Sequence, residues 1–363
     1  MHPTLHHTHR LNNIALARQE VIENGAAMSM PWVESWVERS WRRCLSWGQN
    51  PQQAMGFESV SQAQIRQLQE LNRPLLQAAQ AELDKLSRAI SGTRYFALLT
   101  DAQGVVIATR GDIDQQDPRA RDIARVGVNL SEQSIGTTAI GAVLAEQRPI
   151  WLHRGEHFFD SNHAYSCAGA PLFNPLGECI GMLDLTGIDV PERPELQHLA
   201  AQAARSIENT WIRQSRPTLL LNINWAGQIS AHQGEGLIGL DADGVILCAN
   251  QQARQIMGLA PKDQPHASDV FAATWQSLFD MSAKTQSLEM PLWSGLRVQV
   301  QSSCDALDPT DLPAQQPLKA VENDLIARAM RQARGNVTEA ARRLGISRAT
   351  LYRKISPSKN SGK

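Results

Sequence analysis

Gly335-Asn336-Val337-Thr338-Glu339-Ala340-Ala341-Arg342-Arg343-Leu344-Gly345-Ile346-Ser347-Arg348-Ala349-Thr350-Leu351-Tyr352-Arg353-Lys354 reads as two short helices around a tight turn. Thr338 or Asn336 can cap the first helix, because a side-chain oxygen satisfies helix-start N–H groups that lack a partner. Ala340, Ala341 and Leu344 follow at the spacing of one helix face. Gly345 supplies the left-handed backbone that ends a helix. Ile346 is an apolar plug and Ser347 a second N-cap, while Leu351 and Ile355 lie one turn apart on an inner face. The outward residues Arg348, Thr350, Arg353 and Lys354 suit phosphates and base edges. A helix from about Val321 to Arg334, stopped by Gly335, precedes them. Three small helices with a basic last one describe a helix-turn-helix module.

This run resembles the DNA-binding domain of the Fis (factor for inversion stimulation) family, which also closes many bacterial enhancer-binding regulators. The resemblance implies that Arg348, Thr350 and Arg353 contact DNA from the recognition helix, beside the N-cap Ser347. It places Thr338 and Lys354 at backbone phosphates.

The charge balance agrees. From Lys319 to Lys363 there are eleven basic and three acidic residues, a net of +8, whereas the rest of the chain carries −9. Only this end has the electrostatic footprint of a polyanion binder.

A length of 363 residues exceeds what one core organises, so several domains are expected. With 42% apolar and 20% charged residues the composition is that of globular protein. No apolar run reaches a membrane span and no signal-peptide pattern opens the sequence. The five scattered cysteines form no CxxC pair. A cytoplasmic protein without disulfides or membrane contact is expected.

Residues 1–29, with His2, His6, His7 and His9, read as a flexible polar terminus, and residues 30–92 as a helical segment. Within the latter, Trp32, Val33, Trp36, Val37, Trp41 and Leu45 form a helical stripe carrying Ser40-Trp41-Arg42-Arg43-Cys44. Leu76, Leu83 and Ile90 recur every seven residues. They form either a short seam between two copies or one face of a helix packed on its own domain.

Residues 93–211 alternate strands with helices. Tyr95–Thr100 and Val105–Ala108 flank the turn Asp101-Ala102-Gln103-Gly104, and Ile150–Leu152, Cys167–Leu172 and Cys179–Gly187 are later strands. A helix from Glu195 to Trp211 closes the unit.

This region resembles the GAF sensor domain of acetoin-catabolism and dihydroxyacetone-type regulators. The blocks that carry the resemblance are Gly127–Glu132, Gly136–Gly141, Glu156-His157-Phe158, Cys167–Leu172 and Leu183–Gly187, with Ser40–Cys44 upstream. Thr138 stands where that family often has Asn.

After a connector, 212–235, residues 236–302 open on a hairpin around Asp241-Ala242-Asp243-Gly244, followed by a helix beginning after Asn250 and stopping at Gly258. This resembles the start of a PAS domain, in abbreviated form. Residues 303–317 are a linker, 318–356 the helix-turn-helix and 357–363 a tail. The fold class expected is α+β and multidomain: a GAF-like antiparallel-sheet sensor, a PAS-like domain and an all-α end.

Regulators of this resemblance normally carry an ATPase domain between sensors and helix-turn-helix. Its P-loop needs GxxxxGK[ST], and the only Gly-Lys here is Gly362-Lys363. The implied function is a dimeric, DNA-binding regulator of a carbon-catabolism operon that senses a small effector. It would act without its own ATP-dependent remodelling of sigma-54 polymerase.

The ligand pocket is assigned to Thr137, His157, Phe158, His163, Cys167 and Asp184. His153/His157 and His163/Cys167 also have zinc-like spacings, and Cys167 beside His157 has the makings of a nucleophile and base. No acid or oxyanion hole accompanies them, so no catalytic residue, resident metal or cofactor is assigned. Double-stranded DNA, a second copy of the chain, and RNA polymerase or a longer paralogous regulator are the expected partners. The alternatives are an interaction module that antagonises such a paralogue, or a metal- or redox-responsive sensor.

Overall fold

The computed structural model describes residues 3–25, 31–53, 56–57, 60–226, 236–284 and 287–302, and beyond them Val337, Ala341 and Leu351. The chain divides into two compact units, Met1–Ser303 and Cys304–Lys363.

The first unit begins with α1 (Pro3–Arg18), which runs into a π-helical turn (Gln19–Glu23), followed by α2 (Ser35–Ser46), α3 (Gln62–Leu71) and α4 (Arg73–Ala89). Next come β1 (Tyr95–Asp101), β2 (Val106–Gly111), α5 (Pro118–Ile123), α6 (Glu132–Ile135) and α7 (Ala139–Glu146). β3 (Ile150–His153), β4 (Tyr165–Phe173), β5 (Cys179–Ile188) and α8 (Leu196–Gln214) complete the GAF-like domain.

Its antiparallel sheet has the order β2-β1-β5-β4-β3. Every residue of β1 is buried, because both faces of the sheet are covered. Phe96 and Leu98 face a core with Trp36, Trp41, Ile140 and Phe158. Tyr95, Ala97 and Leu99 face another with Leu83, Leu86, Ala200 and Ile207. At the β1–β2 turn, Asp101 Oδ1 accepts from the N–H groups of Gln103 and Val105, both at 2.9 Å, and Gly104 takes φ +79°.

Two expectations change, and one open alternative is decided. The N-terminal stretch expected to be flexible contains α1 and the π-helical turn, whose side of contact is fixed by Ile14, Ala17 and Val21, all at most 2% exposed. Their +3, +4 spacing is a helical stripe that the neighbouring histidines and asparagines disguise. The heptad seam is internal: Leu83 and Ile90 are buried in the chain's own core, and Leu76 packs against it. Leu83 and Ile90 therefore offer no surface to a second copy.

The stretch read as a connector holds β6 (Leu219–Trp225), whose Leu219, Leu221 and Ile223 alternate inward between Leu220, Asn222 and Asn224. It lies in the middle of a second antiparallel sheet. That sheet adds β7 (Gly236–Leu240), β8 (Ile246–Ala249), β9 (Ser287–Pro291) and β10 (Arg297–Ser302) in the order β8-β7-β6-β10-β9. Helices α9 (Gln251–Met257), α10 (Ala267–Val270) and α11 (Gln276–Lys284) accompany it. The PAS-like hairpin is thus completed at its centre by a strand that precedes it in sequence. The Asp241 carboxylate repeats the device of Asp101, accepting from Asp243 and Val245 N–H before Gly244 at φ +88°. Asn250 caps α9 by accepting from Ala253 N–H, and Gly258 ends the helix in the left-handed region.

The two sheet domains are joined through the β4–β5 turn. Pro175 O and Leu176 O accept from Ala249 and Lys262 N–H at 3.0 and 2.7 Å. The buried Arg254 guanidinium donates to Pro175 O, Ala249 O and Ala260 O. On α8, Glu208 accepts from Phe173 N–H at 3.2 Å, and Asn209 accepts from Asn250. Of the second unit, Ala341 and Leu351 are buried, in keeping with the inner helix faces expected of them.

Candidate effector site and DNA-binding end

A cavity of about 30 Å³ lies between the first sheet and the α5–α7 segment. Leu98, Ile123, Leu130, Ile135 and Ile140 give it apolar walls, and Phe57 joins them from the helical segment upstream. Its volume takes a water or a small solute fragment as it stands. The polar groups that reach it come from β4 and β5 (Cys167, Asp184, Thr186), the β3–β4 connection (His157, Asn162) and Thr138.

These groups form an ordered chain. His157 Nδ1 lies 2.8 Å from Arg154 O, a carbonyl that can only accept, so Nδ1 carries the proton and Nε2 is a lone-pair acceptor. Burial pushes the imidazole pKa down to about 3, which keeps it neutral. Its Nε2 faces Cys167 Sγ at 3.8 Å. Thr186 donates to Asp184 Oδ2. With that hydroxyl proton engaged, Thr186 Oγ1 accepts from the Cys167 thiol at 3.4 Å. Asp184 Oδ1 is buried without a hydrogen-bond partner, and burial raises the carboxyl pKa to about 7. Burial, and then Asp184, also push the Cys167 thiol well above its ordinary pKa, so it is a protonated donor and no thiolate nucleophile. The cavity therefore presents under-used hydrogen-bonding groups, the acceptor His157 Nε2 and the unpartnered Asp184 Oδ1, within apolar walls.

Of the six residues assigned to the pocket, His157, Cys167 and Asp184 line it. Phe158 does not: it is wholly buried, edge-on to Phe159. His163 sits outside with its Nε2 3.6 Å from Asp160 Oδ1. Thr137 turns toward α2, its Oγ1 2.6 Å from Ser40 Oγ and 3.7 Å from Cys44 Sγ. Among the described residues no group of three or more His, Cys, Asp or Glu is placed to hold a metal, despite the zinc-like spacings.

Sequence reasoning missed Thr186, Asn162 and Tyr165. The pairing Cys167↔Thr186 puts those two side chains on one face, but only register reveals it. It also missed Glu132. Ser40 donates to that carboxylate, and Arg43 donates to both its oxygens at 2.8 Å. Trp41 Nε1 donates to Glu156 O at 2.9 Å. The Ser40–Cys44 motif is thus the docking face of α2 on the cavity wall. Thr138, beside it, caps α7 by accepting from Gly141 N–H while lining the cavity. From the other side Arg18 of α1 donates to Gly155 O, His157 O, Phe158 O and Asp160 Oδ1, strapping down the loop that carries His157.

Residues 12–209, more than half of the chain, match the family model described as "MimR, N-terminal domain". The chain belongs to that family. Residues 317–356 match "Bacterial regulatory protein, Fis family", so the C-terminal end is a Fis-type helix-turn-helix. The DNA-contact residues assigned from sequence, Thr338, Ser347, Arg348, Thr350, Arg353 and Lys354, lie outside the described residues.

The MimR-family chain is 30% identical over 250 residues to the acetoin catabolism regulatory protein of Cupriavidus necator, covering 67% of this chain and 37% of that one. It is 27% identical over 290 residues to the propane 2-monooxygenase operon transcriptional activator MimR of Mycolicibacterium smegmatis, covering 79% and 47%. It spans about two fifths of the length of the curated relatives it matches. Among solved structures, the E. coli DhaR(N)-DhaL complex aligns at TM-score 0.48 and 12% identity over 74% of this chain and 99% of that one. Among the described residues no helix is long and apolar enough to cross a membrane.

Proposed function

We propose that the chain is a cytoplasmic transcriptional regulator that holds a small, uncharged, hydroxyl-bearing effector in the GAF-like cavity and binds operator DNA through its Fis-type end as a dimer. The supporting observation is the mismatch in the cavity: His157 Nε2 competes with Thr186 Oγ1 for the single Cys167 thiol proton, and Asp184 Oδ1 has no hydrogen-bond partner. An alcohol or hydroxyketone satisfies both groups without bringing a charge into an apolar site. The names of the relatives, built on acetoin and propane oxidation, accord with that chemistry and with an operon for carbon catabolism.

The route out of the site is short. Thr138 lines the cavity and caps α7, and Thr137 and Glu132 hold α2. An effector that prefers one seating of α2 shifts the chain toward it by its difference in affinity, and by no more. Dimerisation is assigned to the helix-turn-helix end, since the Leu76/Leu83/Ile90 face is used inside the chain. The fourteen residues 303–316 separate the second sheet from the Fis match, and the sequence holds no GxxxxGK[ST]. The output is therefore occupancy of DNA, contact with RNA polymerase, or pairing with a longer ATPase-bearing paralogue, rather than ATP-driven remodelling.

Calorimetric titration of the full chain with a panel of small alcohols, diols and hydroxyketones tests the reading. At least one member binds, and His157→Phe abolishes that binding. If no member binds, or if the His157→Phe protein binds as the parent does, the effector assignment fails.

A further inference from the structure

A second and larger cavity, of about 280 Å³, lies beside β3, the terminal strand of the first sheet. It is separate from the effector cavity, and the two share no lining residue. Three indoles, Trp32, Trp36 and Trp151, contribute to its walls. Trp32 is 44% exposed, so part of its indole is open to a ligand.

The charged groups in the lining are not equivalent. Glu156 is consumed internally: one oxygen accepts from Arg10 at 2.7 Å and the other from His153 N–H at 2.8 Å. Arg10 is held in turn by that carboxylate and lies over the Trp151 ring at 4.2 Å. Arg148 differs. Its ion pair is with Glu34 at 3.4 Å, and the two side chains are 46% and 69% exposed. Such a pair is worth little and is readily exchanged. Arg148 is thus the guanidinium more readily released to a new partner, once Glu34, which also lines the cavity, turns out to solvent; Arg10 stays held by Glu156.

We propose that this cavity binds a small aromatic monocarboxylate, its ring against the tryptophans and its carboxylate on the Arg148 fork. A guanidinium matches a carboxylate in two parallel hydrogen bonds, and aromatic walls accept a flat ring with little entropy loss. A volume of this size takes one ring with a short substituent. A ligand here also touches Arg10 and Glu156, which hold the loop leading to His157, so the site is connected to the effector cavity by two residues.

Benzoate is the probe, titrated into the full chain and read by tryptophan fluorescence and calorimetry. Acetate supplies the charge without the ring, and benzyl alcohol the ring without the charge. Benzoate binds one to one and at least tenfold more tightly than either. Arg148→Ala, at an exposed position, weakens benzoate at least tenfold with an unchanged melting temperature, and Trp32→Ala weakens it as well. Absence of benzoate binding overturns the proposal, as does acetate binding equally well or affinity unmoved by both substitutions. Binding lost in Asp184→Asn but retained in Arg148→Ala places the probe in the effector cavity and likewise overturns it.

Discussion

The Arg43 guanidinium holds both oxygens of the Glu132 carboxylate, Nε to Oε2 and Nη2 to Oε1, each at 2.8 Å. Arg43 lies on α2 and Glu132 opens α6, so this bidentate pair fastens the Ser40–Cys44 motif to the wall of the candidate effector cavity. Glu132 is nearly buried and Arg43 about a third exposed. The hydrogen bond to Glu132 is the main reason the Arg43 pKa is raised.

Arg43→Ala leaves a buried carboxylate with Ser40 and no cation. A loss of about 1–3 kcal/mol is expected, below the cost of breaking a fully buried pair because Arg43 is partly solvated. Glu132→Gln on the same background should recover part of it, since an amide needs no counter-charge. Urea unfolding of Arg43→Ala, Glu132→Gln and the double variant measures both steps. Additive losses in the double variant would contradict a direct pair.

Asp184 makes stability depend on pH in a defined direction. Its folded pKa is raised by burial from 3.8 to about 7, so the native state holds a proton that the unfolded chain releases. Its contribution is fully present below about pH 4 and is lost as pH rises to about 7. Glu208, raised by burial to about 7 at the junction of the two sheet domains, acts in the same window and sense. Neutral His157 acts oppositely, costing stability as pH falls from about 6.5 toward 3. Asp184→Asn should therefore flatten the decline between pH 4 and 7 and raise the melting temperature at pH 8. A decline of unchanged steepness contradicts the protonated native carboxyl.

Leu83 is a core residue, not a contact between copies. Leu83→Ala should cost about 2–5 kcal/mol by urea denaturation, as large-to-small core changes do. Sedimentation of the folded variant should show the parent's oligomeric state. Dissociation at unchanged stability would restore the seam between copies.

What could be read in advance follows from how local each signal is. The turns at Asp101–Gly104 and Asp241–Gly244 were legible because an Asp side chain and a glycine three residues on act within one loop. The cap at Asn250 and the stop at Gly258 were legible for the same reason. The central strand β6 was not: Leu219, Leu221 and Ile223 alternate correctly, but its partners lie on either side of it in sequence, in β7 and β10. In the site, His157, Cys167 and Asp184 carried polar chemistry in a recognisable block. Thr186 entered through strand register, and the pull of Ser40 on Thr137 came from a helix almost a hundred residues away. Side-chain direction separated Phe158 and His163 from the cavity, and spacing alone does not report direction.

The DNA-binding end gives a pair of contrasting substitutions. Arg348→Ala is expected to weaken operator binding by about 1–3 kcal/mol and relax sequence choice, as loss of a bidentate guanine contact does. If Arg353 mainly meets phosphate, Arg353→Ala should weaken all sequences alike and reduce the salt slope by about one. Gel shifts across a salt series separate the two. An Arg348→Ala protein as tight and selective as the parent would remove that residue from the contact set.

The coupling of cavity to DNA is tested most directly by footprinting the full chain on genomic DNA, with and without a small alcohol or hydroxyketone shown by calorimetry to bind. Occupancy at the protein's own sites should change several-fold on addition, and His157→Phe should remove the change while leaving effector-free occupancy intact. Occupancy that stays constant while the cavity is saturated would contradict the account.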